Sequence, residues 1–545
     1  MTQNQHPAGL PYLFFTELWE RFGYYLMIGI FVLYMEDSEK GGLGMVSKES
    51  ADVFGTFIAL NYLTPFIGGM LADRLLGYRI SIIIGGLMMG IGYCMLAIPN
   101  PNMFWAALFV MVLGNGFFKP NISTLLGKLY NDDRYRAQKD TGFNIFYMGI
   151  NIGAFVCNFV AAYMRNTYGW GYAFAAAGIG MFVGVVVFVL GTKHYAHADV
   201  VEPQKPGEQS VLAVLGAVLV PAAITGAIGW FIPGNVFGSD STDAFLFGCM
   251  PIIAFYLNTW RTASADERRP ISALLSIYAV VIVFWAVFKQ NGTALTKWAE
   301  YYTDREVPTQ FVPALQTFGM VQTIDGERGV FTKYDANFKA EKNAQGKAVK
   351  DSAALNPYFI NAADRIPEKG KRMSLYNTEL FQSINPFFVV ILTPLVVLFF
   401  SWLGRRKREP TTAGKISWGL VVSSFSSLVM VAGVIYCHNG LEKSSAWWLA
   451  ATYGVVTIGE LCLSPMGLSL VSKLAPIRIA ALMMGGWQLS TAIGNKLSGV
   501  LASMWDGYAD KSHFFLVNAG LTALAAIAIF LMLPRLNAVI REYVN

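Results

Sequence analysis

Charged residues, histidines and cysteines are all scarce in this 545-residue sequence. Lysine, arginine, aspartate and glutamate make up 14% of the residues, against about 25% in average soluble proteins. The five cysteines lie singly in apolar segments, which argues against a disulfide framework and against a metal site. No nucleophile elbow or phosphate-binding loop occurs in a plausible context, so the sequence predicts neither an enzyme nor a cofactor. The net charge of +6 falls in short loops, which favours a role in membrane orientation over nucleic-acid binding.

Long apolar runs dominate the rest of the sequence. Hydrophobic residues make up 54% of it, and its mean hydropathy is +0.44. About fourteen runs approach the roughly 20 residues that a membrane-spanning helix needs. They lie near 11–35, 50–73, 80–99, 103–127, 142–164, 171–191, 211–232, 244–260, 271–298, 380–403, 416–437, 446–472, 479–505 and 513–534. The pattern predicts an all-α, multi-pass membrane protein.

Lysine and arginine cluster at alternate ends of these runs, most densely in Gly404–Arg408. Because cytoplasmic loops carry the excess of basic residues, this distribution predicts that both termini are cytoplasmic. The leader Met1–Ala8 is too short for a cleavable signal peptide and lacks its basic start. The polar stretch 300–376 then becomes an insertion on the outer side, for which a folded and a partly disordered state both remain open.

Three charged residues interrupt the first apolar run, in the segment Glu17-Leu-Trp-Glu20-Arg21-Phe-Gly-Tyr24-Tyr25. A charge near the bilayer centre costs about 2.5–3.5 kcal/mol. Glu17 and Arg21 are one helical turn apart and can pair, with Glu20 on an adjacent part of the same stripe. Either this group locks the first helix to its neighbours, or it marks a substrate or proton path. Buried membrane charges favour the second interpretation.

Lys119 and Glu460 place further charges inside distant runs. By helical rise, the charges of the first run lie roughly 9–15 Å from the cytoplasmic side, Lys119 roughly 12 Å and Glu460 roughly 18 Å. Because lipid offers these groups no partners, the matching depths predict a central cavity with acids and bases facing each other. Pro120 and Pro465 predict loosened helices beside that cavity. All five histidines fall in loops or at segment ends, so proton transfer is expected to use glutamates.

Several segments together resemble the signatures of the proton-dependent oligopeptide transporter family, the peptide-carrying branch of the major facilitator superfamily. The charged segment of the first run is similar to that family's ExxERFxYY motif. Further similar segments are Gly68-Gly-Met-Leu-Ala-Asp73-Arg74-Leu-Leu-Gly77-Tyr-Arg79, Phe118-Lys119-Pro120-Asn121, Phe146-Tyr147-Met-Gly-Ile-Asn151-Ile-Gly153, and Gly459-Glu460 with Ser464-Pro465. The resemblance implies the major facilitator fold, with two six-helix bundles over 1–191 and 271–545 and an extra helix pair in the linker 192–270.

The resemblance further implies a proton-coupled symporter that imports di- and tripeptides by alternating access. It would act as a monomer in a bacterial inner membrane. Glu17 and Glu20 would take part in proton coupling with Arg21, while Lys119 would bind the peptide carboxylate or pair with the two glutamates. Glu460 would bind the peptide amino terminus. The residues implied to hold the peptide backbone are Tyr25, Tyr62, Asn151 and Asn385, and those implied to line side-chain pockets are Trp285 and Trp487.

The implied chemistry is physically consistent. A zwitterionic peptide needs one fixed anion and one fixed cation inside a low-dielectric cavity. Reading the backbone while leaving the side chains in roomy aromatic pockets permits many different peptides. Asn, Tyr and Trp residues of membrane helices also serve as interhelical contacts or interfacial anchors, so that alternative stays open for each of them.

Lys289 and Ile28 depart from the family pattern, which usually has a glutamate and an arginine near these positions. In the family those two residues are thought to pair and close the outer gate. Losing both together is coherent, because losing one alone would strand a buried charge. Lys289 then needs a partner such as Glu379 or an acid of the insertion, or it reaches water, or burial makes it neutral. Lys496 adds another outer cation. Either the proton site at this position is absent, or Lys289 forms a gate ion pair of swapped polarity.

Two other functions remain open beside proton-coupled peptide import. One is a carrier of the same fold for another small substrate, such as an anion, an amino-acid conjugate or a drug. The pairing of Lys119 with Glu460 suits a zwitterion better than a simple anion. The other is a membrane receptor that binds peptide without transporting it, with the insertion as a partner surface.

Overall fold

In a computed structural model, the described residues form sixteen α-helices and four short β-strands, together with short 3₁₀ and π-helical turns. The structure describes residues 6–130, 132–135, 139–199, 210–335, 338–341, 343, 348–476 and 480–544. The helices are α1 Leu10–Glu36, α2 Ser47–Leu71, α3 Tyr78–Leu96, α4 Pro101–Leu129, α5 Lys139–Tyr168, α6 Trp170–Gly191, α7 Val211–Trp230, α8 Asp240–Thr262, α9 Ala265–Phe288, α10 Ala294–Lys297, α11 Val312–Thr317, α12 Ile384–Arg405, α13 Thr412–Tyr436, α14 Ala446–Leu474, α15 Ala480–Ser503 and α16 Lys511–Val544. The strands are β1 Val321–Asp325, β2 Gly329–Thr332, β3 Lys350–Ala354 and β4 Arg372–Tyr376.

Each of the fourteen predicted apolar runs overlaps a long helix, and the least completely covered is run 271–298, which α9 covers only as far as Phe288. Among the described residues, ten helices are both long and apolar enough to cross a membrane. Helix α1 is 27 residues long and contains Glu17, Glu20 and Arg21, the three charged residues of the first apolar run. The multi-pass, all-α class is therefore confirmed.

Local sequence explains where several helices begin. The side chain of Asn100 accepts the backbone N–H of Asn102 at 2.8 Å, and Pro101 occupies the first turn of α4. An amide cap followed by proline is a favourable helix start, since proline lacks the N–H that would otherwise go unbonded there. Ser239 and Ser264 cap α8 and α9 in the same manner. Gly169 separates α5 from α6 with φ of 102°, a conformation that favours glycine.

The chain divides into two compact units. The first contains Met1–Gly44, Leu60–Ala217 and Pro308–Gln322. The second contains Met45–Ala59, Val218–Val307 and Thr323–Asn545. Helix α2 therefore begins in the second unit and ends in the first. Within the first unit α1 packs on α5 and α6, and α3 packs on α4. Within the second unit α9 packs on α15 and α16, and α13 packs on α14 and α16.

Helices α2 and α4 approach each other closely within the first unit. The sequence predicts that Pro120 loosens α4, and in the structure α4 continues through Pro120 as α14 continues through Pro465. A proline removes the hydrogen bond to the carbonyl four residues earlier, which for Pro120 is that of Gly116. A Cβ atom at Gly68 would lie 2.0 Å from this carbonyl oxygen. Glycine at position 68 therefore lets α2 pack directly over the place where α4 loses a bond.

The insertion at 300–376 is folded where the structure describes it. Strand β2 pairs antiparallel with β3, Gly329 opposite Ala354, and β1 pairs with β4. A small apolar core lies beneath the turns of this segment, formed by Ile324, Tyr358, Phe359, Ala362 and Leu375. Of the two states left open by the sequence, the folded one holds for the described part.

Candidate functional site

Glu17, Glu20 and Arg21 form a buried ion cluster on α1. Glu17, Glu20 and Arg21 are 4%, 0% and 6% exposed to solvent, respectively. Arg21 Nε lies 3.1 Å from Glu17 Oε1 and also donates to Glu20 Oε2. The predicted pairing of Glu17 with Arg21 is thus confirmed, and Glu20 joins it.

The cluster leaves part of its hydrogen-bonding capacity unused. Among the described residues, no hydrogen-bond partner exists for Glu17 Oε2, Glu20 Oε1 or Arg21 Nη2. Two carboxylates therefore share one guanidinium, and each keeps one oxygen without a donor. Unpaired buried polar atoms are rare because each costs about 1–3 kcal/mol. A proton or a polar substrate group at these oxygens would relieve that cost.

Glycines on the neighbouring helices create the tight packing that buries the cluster. A Cβ atom at Gly153 of α5 would lie 2.4 Å from the backbone oxygen of Leu18. On α6, a Cβ atom at Gly180 would lie 2.9 Å from the ring of Phe22. Larger residues at these positions would push α5 and α6 away from α1 and admit water to the charges.

Lys119 of α4 joins this cluster electrostatically. Its charge acts on both Glu17 and Glu20. Its Nζ lies 3.7 Å from the centroid of the Tyr62 ring, a cation–π contact with α2. The first unit therefore brings Lys119 and the α1 carboxylates together, as their predicted depths indicate.

Hydrogen bonds between α2 and α4 hold Tyr62 and Lys119 in this arrangement. The side chain of Asn115 donates to the backbone oxygen of Asn61 at 2.6 Å. The hydroxyl of Thr64 donates to the backbone oxygen of Val112 at 3.0 Å. These bonds lie on either side of Tyr62 along α2, and sequence reasoning did not identify them because polar residues of membrane helices have many possible partners.

The other candidates of the first unit are half-buried on their helices. The amide of Asn151 donates to the backbone oxygen of Tyr147 on its own helix at 3.0 Å, which leaves its side-chain oxygen for another donor. Tyr25 packs edge-to-face on Tyr24, whose ring centroid lies 5.3 Å from Arg21 Cζ. Ile28 is half-buried one turn further along α1.

Glu460 is held by α12 in the second unit. The side-chain nitrogen of Asn385 lies 2.8 Å from Thr457 Oγ1 and 3.3 Å from Glu460 Oε2. Asn385 is predicted from the family to hold a peptide backbone, but here its amide group contacts the carboxylate. It therefore positions Glu460, together with Thr457, which sequence reasoning missed.

Lys289 lies at the C-terminal end of α9 and its charge acts on Glu460. The ammonium also lies 5.5 Å from the ring centroid of Trp285 and 5.7 Å from that of Phe288. The sequence pointed to Glu379, to the insertion or to water as partners of Lys289. Its influence on Glu460 was not among these predictions, because the two residues are far apart in the sequence.

Lys496, which the sequence adds as another outer cation beside Lys289, has a carboxylate partner of its own. Its Nζ lies 2.7 Å from Asp52 Oδ1 and 2.8 Å from the hydroxyl of Ser241, and its side chain is 1% exposed. Asp52 in turn accepts hydrogen bonds from Ser239 and Thr242 at the start of α8. A signal for this pair exists in the sequence, since Asp52 lies inside the apolar run 50–73 and Lys496 inside 479–505.

Trp285 and Trp487 are 8% and 4% exposed. Within the described chain Trp285 Nε1 has no hydrogen-bond partner. Trp487 lies against Gly467, where a Cβ atom would be 1.8 Å from its ring, and 6.3 Å from the ring centroid of Tyr278. The side chains of Asp73 and Arg74, which belong to one of the segments similar to a family signature, lie outside the described part. So does Arg478, a basic residue between the apolar runs 446–472 and 479–505 that the charge pattern predicts to be cytoplasmic.

The long apolar helices and the charges buried within them define a multi-pass membrane protein of the major facilitator fold. No group of three or more His, Cys, Asp or Glu able to hold a metal ion occurs among the described residues. The sequence matches the model of the POT family (PTR2) over residues 79–324 and 374–514, more than half of its length. The chain therefore belongs to the POT family, a family of transporters.

Relatives and solved structures agree with this assignment. The chain is 29% identical over 538 residues to a di-/tripeptide transporter of Lactococcus lactis subsp. lactis (strain IL1403), covering 96% of this chain and 95% of the relative. It is 27% identical over 556 residues to dipeptide and tripeptide permease A of Escherichia coli (strain K12), covering 99% and 94%. It is also similar to a crystal structure of a substituted peptide transporter POT in complex with alafosfalin, with a TM-score of 0.75, 29% identity, and 98% and 96% of the two chains covered.

Proposed function

We propose that this protein imports di- and tripeptides together with protons by alternating access. The observation that carries the proposal is the buried cluster of Glu17, Glu20 and Arg21, whose free carboxylate oxygens lie within the electrostatic influence of Lys119. The names of the relatives support the peptide substrate, since they include di-/tripeptide transporters and permeases.

Glu17 and Glu20 are the proposed carriers of the proton. Each has one oxygen bonded to or paired with Arg21 and one oxygen without a donor, so a proton has a site that does not require breaking the ion pair. If one carboxylate were protonated, Arg21 would keep one charged partner, the other carboxylate. Lys119 would then be available to bind the carboxylate of an incoming substrate. This linkage couples proton occupancy to substrate binding, because both compete for the same charges.

Lys119 and Glu460 are the proposed anchors of a peptide's two charged ends. Lys119 would take the carboxylate and Glu460 the amino group, with Tyr25, Tyr62 and Asn151 bonding the backbone. Trp285 and Trp487 would border the side chains. The position of Asn385 against Glu460 supports a role in orienting that carboxylate rather than in contacting the peptide first.

Lys289 modifies this scheme because it brings a cation to Glu460. An incoming amino group has to compete with Lys289 for the carboxylate, which lowers the gain from binding. We propose that the proton site usual at position 289 in the family is absent and that Glu17, Glu20 or Glu460 carries coupling instead. Ile28 is consistent with this. Because the family's usual arginine is absent at position 28, no cation there needs an acid at position 289.

The proposed arrangement in the membrane follows from the charge distribution. Two six-helix halves, 1–191 and 271–545, are joined by the linker 192–270 with its extra helix pair α7 and α8. Both termini are cytoplasmic, the insertion is on the outer side, and the protein works as a monomer in a bacterial inner membrane. The abundance of arginine and lysine around 261–269, 405–408 and 535–541 supports this orientation.

Transport into sealed liposomes tests the proposal. The purified full-length protein is reconstituted, and uptake of labelled dialanine is followed with and without an inward-directed acid gradient. We expect accumulation above equilibrium only with the gradient, and its collapse when a protonophore is added. Protein-free liposomes are the control for leakage.

The remaining outcomes separate the alternatives. Equilibration without accumulation would mean a peptide carrier that Lys289 has uncoupled from protons. Binding of dialanine without any uptake would contradict transport and favour a receptor. Absence of both binding and uptake would contradict the peptide substrate.

A carrier of anionic conjugates is the second candidate function, and Lys289 is the observation that favours it. With Lys289 beside Glu460, the second unit offers a cation where a zwitterion needs an anion. Competition distinguishes the two substrates. An N-acetylated amino acid, which lacks the free amino group, should outcompete dialanine if this candidate is correct and should compete poorly if peptides are the substrate.

A further inference from the structure

A cleft between the ends of α8, α9 and α16 lies well away from the residues considered above. It has a volume of about 710 Å³ and belongs entirely to the second unit. Its lining residues are Trp260, Ala265, Arg268, Arg269, Ser272, Ala273, Ser276, Met532, Arg535, Leu536, Ala538, Val539 and Glu542. The set combines three arginines with a largely apolar wall.

The arginines have more positive charge than the cleft's single acid can compensate. Arg269 lies 3.3 Å from Glu542, but both side chains are largely exposed, so this pair is weak. Arg268 donates to the backbone oxygen of Arg261 at 2.8 Å rather than to a carboxylate. Arg535 makes no ion pair within the described part of the chain. The mouth of the cleft therefore attracts an anion.

The wall below the arginines is apolar and follows one face of α16. Met532, Leu536 and Val539 recur at the spacing of neighbouring turns, and Ala273 of α9 lies opposite. Trp260 of α8 closes the third side, and its Nε1 is buried without a hydrogen-bond partner among the described residues. A ligand that fits must have an anionic end, an apolar body and an acceptor for an indole N–H.

The cleft lies at the level where membrane-spanning segments end. The candidate spans Ala265–Tyr302 and Lys511–Tyr543 both have their outermost turns in it. From Arg268 to Ser276 the cleft follows α9 for about 12 Å, at about 1.5 Å per residue. That length matches a lipid headgroup, its glycerol and the start of an acyl chain, and basic clefts between helix ends are where anionic headgroups bind.

We propose that this cleft binds an anionic phospholipid. The phosphate lies among Arg268, Arg269 and Arg535, the indole of Trp260 donates to a headgroup or ester oxygen, and the acyl chain follows the apolar face of α16. Because basic helix ends face the cytoplasm, the lipid belongs to the cytoplasmic leaflet. Helix α8 of the extra pair then has a role in lipid binding, because it supplies the third wall of the cleft beside α9 and α16.

Native mass spectrometry of the purified full-length protein tests the proposal, with phosphatidylglycerol as the probe and phosphatidylcholine as the neutral comparison. We expect one phosphatidylglycerol to be retained in preference to phosphatidylcholine. The variant R268Q/R269Q/R535Q should weaken this binding by roughly a hundredfold, from about fivefold for each arginine near an anionic headgroup. The matched control R405Q/R406Q/R408Q removes the same charge from the exposed end of α12 and should leave binding nearly unchanged.

Two further variants separate the cleft from its charge. Ser276→Phe fills the apolar part while keeping every arginine, and Trp260→Phe removes only the indole N–H, so both should weaken retention of phosphatidylglycerol. Equal loss in the α12 control would overturn the proposal in favour of diffuse attraction to a basic surface. Unchanged binding in both Ser276→Phe and Trp260→Phe would also overturn it. Displacement of the lipid by excess inorganic phosphate would make the occupant a soluble anion instead.

Discussion

Two buried ion clusters, one in each compact unit, contain similar residues but differ in how far their hydrogen bonds are filled. On α1, two carboxylates share Arg21, and one oxygen of each has no donor within the described chain. Between α2 and α15, Lys496 donates to three oxygens, and its partner Asp52 accepts from several hydroxyls. The two cations are comparably buried, with side chains 7% exposed for Arg21 and 1% for Lys496, so burial of the cation does not separate the clusters. Among the acids, Asp52 is 24% exposed and therefore more open than Glu17 or Glu20.

The difference indicates different roles. A saturated cluster gains nothing from a proton or a ligand, because every donor and acceptor already has a partner, so the pair of Asp52 and Lys496 acts as a structural contact. An unsaturated cluster keeps the desolvation cost of its free atoms and is relieved when a proton or substrate arrives. The unfilled atoms, rather than the buried charge, mark the group on α1 as the candidate for transport.

Neutralising one carboxylate of the unsaturated cluster should have the largest effect. Glu20→Gln keeps the size of the side chain but cannot load and release a proton. We therefore expect gradient-driven accumulation of dialanine in liposomes to be lost, while exchange of labelled for unlabelled dialanine across the membrane continues. The control Glu368→Gln removes an equally negative group whose side chain is 80% exposed, and should transport as the parent does. Accumulation by Glu20→Gln at the parental level would remove Glu20 from the coupling mechanism.

Breaking the saturated cluster should affect stability instead of coupling. Asp52→Asn strands the buried ammonium of Lys496, which typically costs about 3–5 kcal/mol, and Lys496→Met strands the partly exposed carboxylate of Asp52, which should cost less. The double variant Asp52→Leu with Lys496→Met removes both charges and should recover most of the loss. Thermal melting in detergent measures each step, with Lys371→Gln as the comparison, since its exposed pair with Glu368 is worth at most about 1 kcal/mol. Melting of the single variants no lower than that of Lys371→Gln would mean that the cluster is not a structural contact.

Lys289→Glu should sharpen the comparison by adding a fourth acid to Glu17, Glu20 and Glu460. The substitution replaces the cation that acts on Glu460 with a carboxylate, which adds a group able to take a proton. We expect the pH dependence of dialanine uptake to change, with a shift in apparent affinity of roughly five- to tenfold, the scale of about 1 kcal/mol. Lys289→Gln removes the cation without adding an acid and separates the two effects. An identical pH profile in parent and Lys289→Glu would mean that position 289 has no part in coupling.

The parts that sequence reasoning predicted correctly depend on local spacing. The run 11–35 coincides with α1 at Leu10–Glu36, because apolar length alone defines such a helix. Glu17 pairs with Arg21 because residues four apart on a helix are neighbours. Lys119 joins them because depth in the membrane can be counted along a helix.

The parts that it missed depend on contacts between distant segments. The run 271–298 was shifted from α9, which begins at Ala265 and ends at Phe288, because the charged first turn hides the helix start from hydropathy. Asp52 and Lys496 are 444 residues apart, and only the folded chain shows which outer cation each acid meets. The close approach of Gly68 on α2 to Gly116 on α4 is likewise a contact between two helices, which the sequence around Pro120 does not contain.

Lys443, a half-buried lysine outside the membrane segments, provides a third case for the comparison, with the smallest expected effect. Lys443 lies between α13 and α14, donates to the backbone oxygen of Tyr301 at 2.8 Å and lies 4.0 Å from the ring centroid of Tyr358. Burial, followed by the positive charge of Arg305, lowers the pKa of Lys443 to about 6. The other charged groups that act on it are Glu300, Asp304 and Arg365.

Lys443 should make the stability of the protein depend on pH. Its pKa in the folded state lies below the unfolded value of 10.5, so between these values the unfolded chain binds more protons and stability rises with pH. One group contributes at most about 1.4 kcal/mol per pH unit, and the contact with the Tyr358 ring, which favours the charged form, reduces this. We expect the parent to gain melting temperature from about pH 6 to pH 9 relative to Lys443→Met, whereas Lys371→Met, which removes an exposed lysine, should follow the parent. Parallel curves for parent and Lys443→Met would mean that Lys443 stays charged, because its backbone and aromatic contacts would then outweigh both its burial and the neighbouring arginines.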